Sequence, residues 1–266
     1  MRMWQLIVVV YFAYLAVLAL FVEMRSERWR AAPLAACALL PATSLPTTAH
    51  GGAGVALAIV VPALFLITSY WLSGLFFTHP MADVERLLLD ADRWLLGRLG
   101  LDRLVARAPR WALEALELSY LLVYAMVPAG AVVLAVTGHA GELPGYWAVV
   151  LGAALAAYGV MPWLQTRPPR AIEPDDPFGG RTVWFRRANL AVLSCGSHGA
   201  NTVPSGHAAG AFATALAVGT VLPAAGAVFV GLAVTIAVAT VVGRYHYAID
   251  TILGVAVALV AWVVLR

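Results

Sequence analysis

Runs of about 20 apolar residues, the length needed to cross roughly 30 Å of hydrocarbon, recur seven times in the chain: Trp4 to Val22, Val55 to Phe77, Ala112 to Thr137, Trp147 to Leu164, Ala208 to Leu222, Ala225 to Val242 and Ile249 to Leu265. An eighth, weaker candidate runs from Ala31 to about Thr48. These runs constrain the fold more than any other feature. A backbone in hydrocarbon finds no water to bond, so it must satisfy its own polar groups as a helix or as a closed barrel. The period-two alternation of a membrane barrel is absent. The richness in Ala, Gly and Val suits helices packed close together, so the expected fold is an all-α, polytopic membrane helix bundle. At 62% hydrophobic and 12% charged residues, the chain has too little polar surface for a soluble domain.

Arg2 precedes the first run much as a basic residue opens a signal peptide, but the run is long and no small-residue cleavage site follows, so a retained helix is expected. The two cysteines, Cys37 inside an apolar segment and Cys195 in a loop, support neither a disulfide framework nor a thiolate metal cluster. All 17 basic residues are arginine. Eight alternating crossings would put Arg25, Arg28, Arg30, the six arginines between 86 and 110, the five between 167 and 187, and Arg244 on one face, with only Arg2 and Arg266 on the other. The positive-inside rule alone would make that rich face cytoplasmic. A net charge of +3 adds a mild preference for anionic lipids. No nucleic-acid partner is expected, and oligomeric state is left open.

Two segments interrupt the apolar runs. Residues 80–110, PMADVERLLLDADRWLLGRLGLDRLVARAPR, space leucines and a tryptophan three and four apart among acids and arginines, the pattern of an amphipathic helix lying on a membrane surface. Residues 165–205 form the longest polar stretch, read as a loop at an aqueous face or in a cavity. The chain thus divides into N-terminal spans (1–79), the interfacial helix (80–110) and a bundle (111–266).

By span count, His207, at the end of that loop, and His246, in GRYHYAID, fall at the same end of the bundle. His246 and Asp250, four residues apart, lie one helical turn from each other. A carboxylate there can hold one ring nitrogen of an imidazole and leave the other free to attack. The pair also reads as a structural couple snorkelling to the interface. VPSGH (203–207) places Ser205, Gly206 and the following N–H groups at a helix N-terminus, which attracts anions. Arg167 and Arg170 are candidate phosphate ligands through the planar fork of the guanidinium, whereas Arg186 and Arg187 read as flanking charge.

Together, P-S-G-H opening one helix and H-Y-x-x-D opening the second helix after it resemble the second and third signature motifs of the PAP2 (type 2 phosphatidic acid phosphatase) superfamily, over about residues 80 to 265. DADRWLLG (90–97), ELSYLLVYAMVP (117–128) and RYHYAID look most like the branch that includes inositol-phosphoceramide synthases and their bacterial relatives. The resemblance implies a six-helix core with extra N-terminal spans. It also implies metal-independent phosphotransfer without a cofactor on a lipid phosphate or diphosphate, at a site that faces the exterior of the cell membrane or a lumen. In that pattern His246 is the nucleophile that becomes phosphohistidine, Asp250 orients it, His207 is the general acid, and Ser205 and Gly206 cradle the phosphoryl oxygens. The chain departs from the pattern in two places: Val160 stands where the first motif begins with lysine, leaving only Arg167 and Pro168 to match its end, and Thr240 replaces an arginine of the third motif, for which the resemblance leaves Arg244, two residues before His246, as the substitute phosphate ligand. Rival expectations are a head-group transferase with a lipid alcohol acceptor, an anion transporter, or an inactive scaffold.

Overall fold

A computed structural model of the protein describes residues 1–44, 51–174 and 176–266. Among the described residues there are eleven α-helices and no strand. They are α1 (Met3–Phe21), α2 (Ala31–Ala36), α3 (Gly52–Gly74), α4 (Ala82–Leu99), α5 (Leu101–Arg107), α6 (Arg110–Val136), α7 (Leu143–Val160), α8 (Trp184–Gly196), α9 (Gly206–Val221), α10 (Pro223–Val242) and α11 (Ala248–Leu265). Six candidate spans, built on α1, α3, α6, α7, α10 and α11, are long and apolar enough to cross a membrane, which makes this a multi-pass membrane protein. The all-α bundle read from the apolar runs is therefore the observed fold.

Local sequence sets the helix boundaries. Ser205 caps α9 by accepting the N–H of Ala208 through its hydroxyl at 3.3 Å. Pro144 opens α7 and Pro223 opens α10, where a missing N–H costs nothing. At the centre, α9 packs against α6, α7, α10 and α11 and contributes alanines and glycines that let neighbouring backbones approach. The approach is tightest where α9 meets α10: a methyl group added to Gly226 would collide with the backbone of Gly219.

The structure changes three readings of the sequence. Residues 80–110 are two helices rather than one, because Gly100 adopts a left-handed conformation (φ +65°) that ends α4. Within the stretch 165–205, read as loop, lies the 13-residue helix α8. Its buried positions are Arg186 and Asn189, while Trp184 is exposed, so its polar face turns inward and apolar periodicity does not report it.

The eighth apolar candidate is the third. Its described part is α2 followed by a 3₁₀ helix over Cys37–Ser44, not a long α-helix, and residues 45–48 lie outside the described residues. It nevertheless runs the length of α1 in the opposite direction. Arg30 donates to the Ala19 carbonyl at 2.7 Å, the Cys37 thiol lies 3.9 Å from the Phe12 carbonyl, and Gln5 Nε2 donates to the Thr43 carbonyl at 2.6 Å. Six α-helical and eight 3₁₀ residues span about 25 Å, so 14 residues nearly match the bilayer core.

The chain around Arg25, Thr78, Gln165, His198 and Arg244 therefore lies at one end of the bundle, stitched by Arg25 N–H to the Leu75 carbonyl (2.8 Å) and by Thr78 N–H to Gln165 Oε1 (2.6 Å). Arg2 and Trp4 sit with Ala140 and Trp147 at the other. Gly226→Leu should cost about 1–3 kcal/mol, read as a lower thermal midpoint in detergent. Gly231→Leu, at a position on α10 with open space, is the control; equal midpoints would refute the close α9–α10 contact.

Candidate functional site

At the arginine-rich end, a cavity of about 410 Å³ falls within the roughly 300–1,000 Å³ range of small-molecule sites. His207, His246, Arg170, Gly206, Asn201 and Thr202 form its polar end. His207 Nδ1 and His246 Nε2 stand 3.0 Å apart, brought together from the first turn of α9 and the short link between α10 and α11. On the far side of the His246 ring, Nδ1 lies 3.7 Å from Asp250 Oδ2 and has no hydrogen-bond partner. A carboxylate at Nδ1 favours a proton there, which leaves the Nε2 lone pair facing His207 and assigns the shared proton to His207 Nδ1. Burial, with Arg170 nearby, lowers the His246 pKa to about 3, so at neutral pH the ring is uncharged.

The link that carries His246 is held from every side. The backbone N–H groups of Tyr245 and His246 both donate to the Thr240 carbonyl, at 2.8 and 3.1 Å. Asp250 Oδ2 accepts from Asn201 Nδ2 at 2.7 Å and from the Tyr247 N–H at 3.2 Å. Asp92 of α4 accepts the N–H of Ala248, the first residue of α11, at 2.7 Å; burial pushes its carboxyl up to about 6. Glu117, 1% exposed in α6, accepts from the Tyr245 hydroxyl at 2.5 Å, from Asn189 Nδ2 at 2.7 Å and from Arg186 at 3.3 Å. The Tyr245 ring stacks on Tyr120 at 3.7 Å on one side, and the Arg186 guanidinium lies 4.6 Å from its centroid.

Of the residues proposed from sequence, His207, His246, Arg170 and Gly206 line the cavity and Asp250 backs His246. Gly206 has no room for a side chain, because the Tyr158 ring occupies the place of its missing Cβ. Ser205 is fully buried and its hydroxyl is used in the helix cap. Arg167 is engaged elsewhere: its guanidinium forks onto Glu85 of α4, Nε to Oε1 at 3.0 Å and Nη2 to Oε2 at 2.7 Å. Arg244 has φ +58°, a conformation uncommon outside glycine. Its guanidinium meets Glu173 beside a separate cavity bounded by Asp102, Phe178 and Val242. Arg186, read as flanking charge, is instead buried against Glu117. Thr240 is wholly buried, its hydroxyl 3.2 Å from that of Thr251 in the α10–α11 wall.

Sequence reasoning gave no role to Tyr120, Tyr124, Tyr158, Asn201 or Glu117, although Glu117, Tyr120 and Tyr124 lie in the ELSYLLVYAMVP run. For Glu117 the signal was present: an acid inside an otherwise apolar membrane run is a functional candidate by its cost alone. For the tyrosines it was not, since an aromatic in a span looks the same whether it faces lipid or a cavity.

The sequence profile of the PAP2 superfamily matches residues 86–264. No curated protein and no solved structure is similar enough to count as a match. Glu117→Ala should cost about 3–5 kcal/mol, because it removes the buried acid that Arg186, Asn189 and Tyr245 all meet. Adding Arg186→Met should recover part of that loss in thermal unfolding, and a double variant no more stable than the single would overturn the pairing.

Proposed function

We propose, for a chain that belongs to the PAP2 superfamily, that it transfers the phosphoryl group of a membrane lipid phosphate or diphosphate through a covalent phosphohistidine. Superfamily membership supports a phosphatase-type enzyme in general. The observation that carries the finer reading is the 3.0 Å approach of His207 Nδ1 to His246 Nε2 at the polar end of an otherwise apolar cavity.

A phosphorus entering between the two rings meets a lone pair on one side and a proton on the other. His246 Nε2 forms the N–P bond while the bond from phosphorus to the leaving oxygen breaks; His207, whose charged form burial disfavours, takes up a proton as the anionic phosphate enters beside it, gives that proton to the leaving oxygen and is left neutral. Asp250, beside Nδ1, stabilises the positive charge that develops on the ring. Arg170 is the guanidinium within the cavity, and its fork suits the equatorial oxygens. Water or an alcohol then attacks phosphorus, loses its proton to His207 and releases His246. The 3.7 Å separation of His246 and Asp250 is compatible with this role, since catalytic contacts often tighten only around substrate.

The aromatic and aliphatic lining of the cavity favours a second reading, in which a lipid alcohol replaces water and the enzyme is a head-group transferase of the branch that includes inositol-phosphoceramide synthases. Phosphate release without added acceptor separates the two. On the hydrolase reading, His246→Ala abolishes release in excess EDTA. His207→Ala loses about 10²- to 10⁴-fold on poor leaving groups and much less on acidic ones. Release that needs a divalent metal, or that survives His246→Ala, would overturn the mechanism.

We infer that the site faces the exterior of the cell membrane, the side that superfamily resemblance implies, although the arginine count points the other way. Cys195 is exposed on α8 at the site end. In a Cys37→Ser background a membrane-impermeant maleimide should label Cys195 in intact cells; labelling only after lysis would put the site inside.

A further inference from the structure

Helix α3 precedes the family-matched residues 86–264, yet it walls the histidine cavity. Ala63, Leu66, Ile67, Tyr70 and Trp71 face Val123, Tyr124, Val127 and Pro128 of α6 across the same space that holds His207, His246 and Arg170. From Ala63 to Trp71 the helix rises about 12 Å, so an apolar arm of that depth extends from the polar end.

The arm reaches the outside of the bundle. Ile67 is 55% exposed, Trp71 43% and Tyr124 46%, although all three line the cavity. Ile67 and Trp71, four residues apart, form one stripe of α3, and Tyr124 lies across the opening on α6. A cavity with phosphate-type groups at one end and a lipid-facing gap at the other fits an amphiphile whose chain leaves the protein between α3 and α6.

The wall is anchored. Phe65 packs edge-on against Phe12 of α1 at 5.6 Å, and the Tyr11 hydroxyl reaches the Ser69 carbonyl at 3.4 Å. At the near end, His198 stacks on Tyr70 at 4.2 Å and fills the space that a Cβ at Gly74 would take. The chain from His198 leads within nine residues to His207, so α3 also bears on the segment that presents the acid of the proposed reaction.

We propose that α3 is the chain-selecting wall of this site, with Ala63, Ile67 and Trp71 as specificity-determining residues for the aliphatic chain of the lipid phosphate. This rests on the lipid-phosphate reading of the histidine pair, and two measurements keep the proposals separable. In the first, kcat/KM is followed over saturated lipid phosphates of increasing chain length. Ala63→Phe, which fills the arm, should lower the ratio of long-chain to short-chain kcat/KM by about tenfold or more, whereas Leu64→Phe, on the exposed face away from the cavity, should leave that ratio as it is. A uniform loss across lengths, or an unchanged ratio in Ala63→Phe, would overturn the wall.

The second needs no turnover. A lipid phosphate with a diazirine midway along its chain is photolysed with wild-type protein and with His246→Ala, and the labelled peptide is mapped. Label within 63–71 or 123–128, competed by unlabelled lipid phosphate, supports the wall even if no lipid phosphate is turned over, in which case only the catalytic reading fails. Label confined to other helices overturns the wall and leaves the catalytic reading standing.

Discussion

A carboxylate buried in an apolar bundle is tolerated only where hydrogen-bond donors meet it, and the site end of this protein is organised around four of them. Glu85, Asp92, Glu117 and Asp250 are all buried. Their donors come from two segments that no helix axis would bring together: Arg167, Arg186, Asn189 and Asn201 from the long connection before α9, and Tyr245, Tyr247 and Ala248 from the link between α10 and α11. Breaking a buried ionic contact by removing one partner is far more costly than losing an exposed one. The arrangement is therefore close to all-or-none, and His246 sits in a link held by acids of α4, α6 and α11.

The same bonds explain why one arginine remains at the histidine pair. Arg167, Arg186 and Arg244 are each drawn to an acid far away in sequence, Glu85, Glu117 and Glu173. Among the described residues Arg170 meets no such acid; its side chain approaches the Tyr245 carbonyl at 3.4 Å and the Tyr245 ring at 5.5 Å, with the guanidinium in the cavity. Thr240, which the resemblance sets against a motif arginine, is enclosed between α10 and α11, where its hydroxyl donates to the Ala237 carbonyl at 2.7 Å and lies 3.2 Å from that of Thr251. Arg167, Arg186 and Arg244 thus tie polar segments together, and Arg170 is left beside the histidine pair.

By itself the sequence determined the membrane bundle and the order of its long apolar spans, and it offered His207, His246 and Asp250 as candidate site residues. Each of these follows from local spacing: about 20 apolar residues cover the hydrocarbon, four residues make one helical turn, and Pro-Ser-Gly opens a helix with its first N–H groups free. The tertiary structure alone decided which arginines are structural, that α8 turns its polar face inward, that residues 31–44 run the length of α1 as a mixed α and 3₁₀ segment, and that α3 forms a wall of the cavity. Most of those outcomes depend on partners far apart in the chain, such as Glu85 with Arg167 at 82 residues, Asp92 with Ala248 at 156 and Tyr11 with Ser69 at 58. Pairing of that kind is set by which buried charge or opening lies opposite in space, and side-chain spacing along the chain carries no record of it.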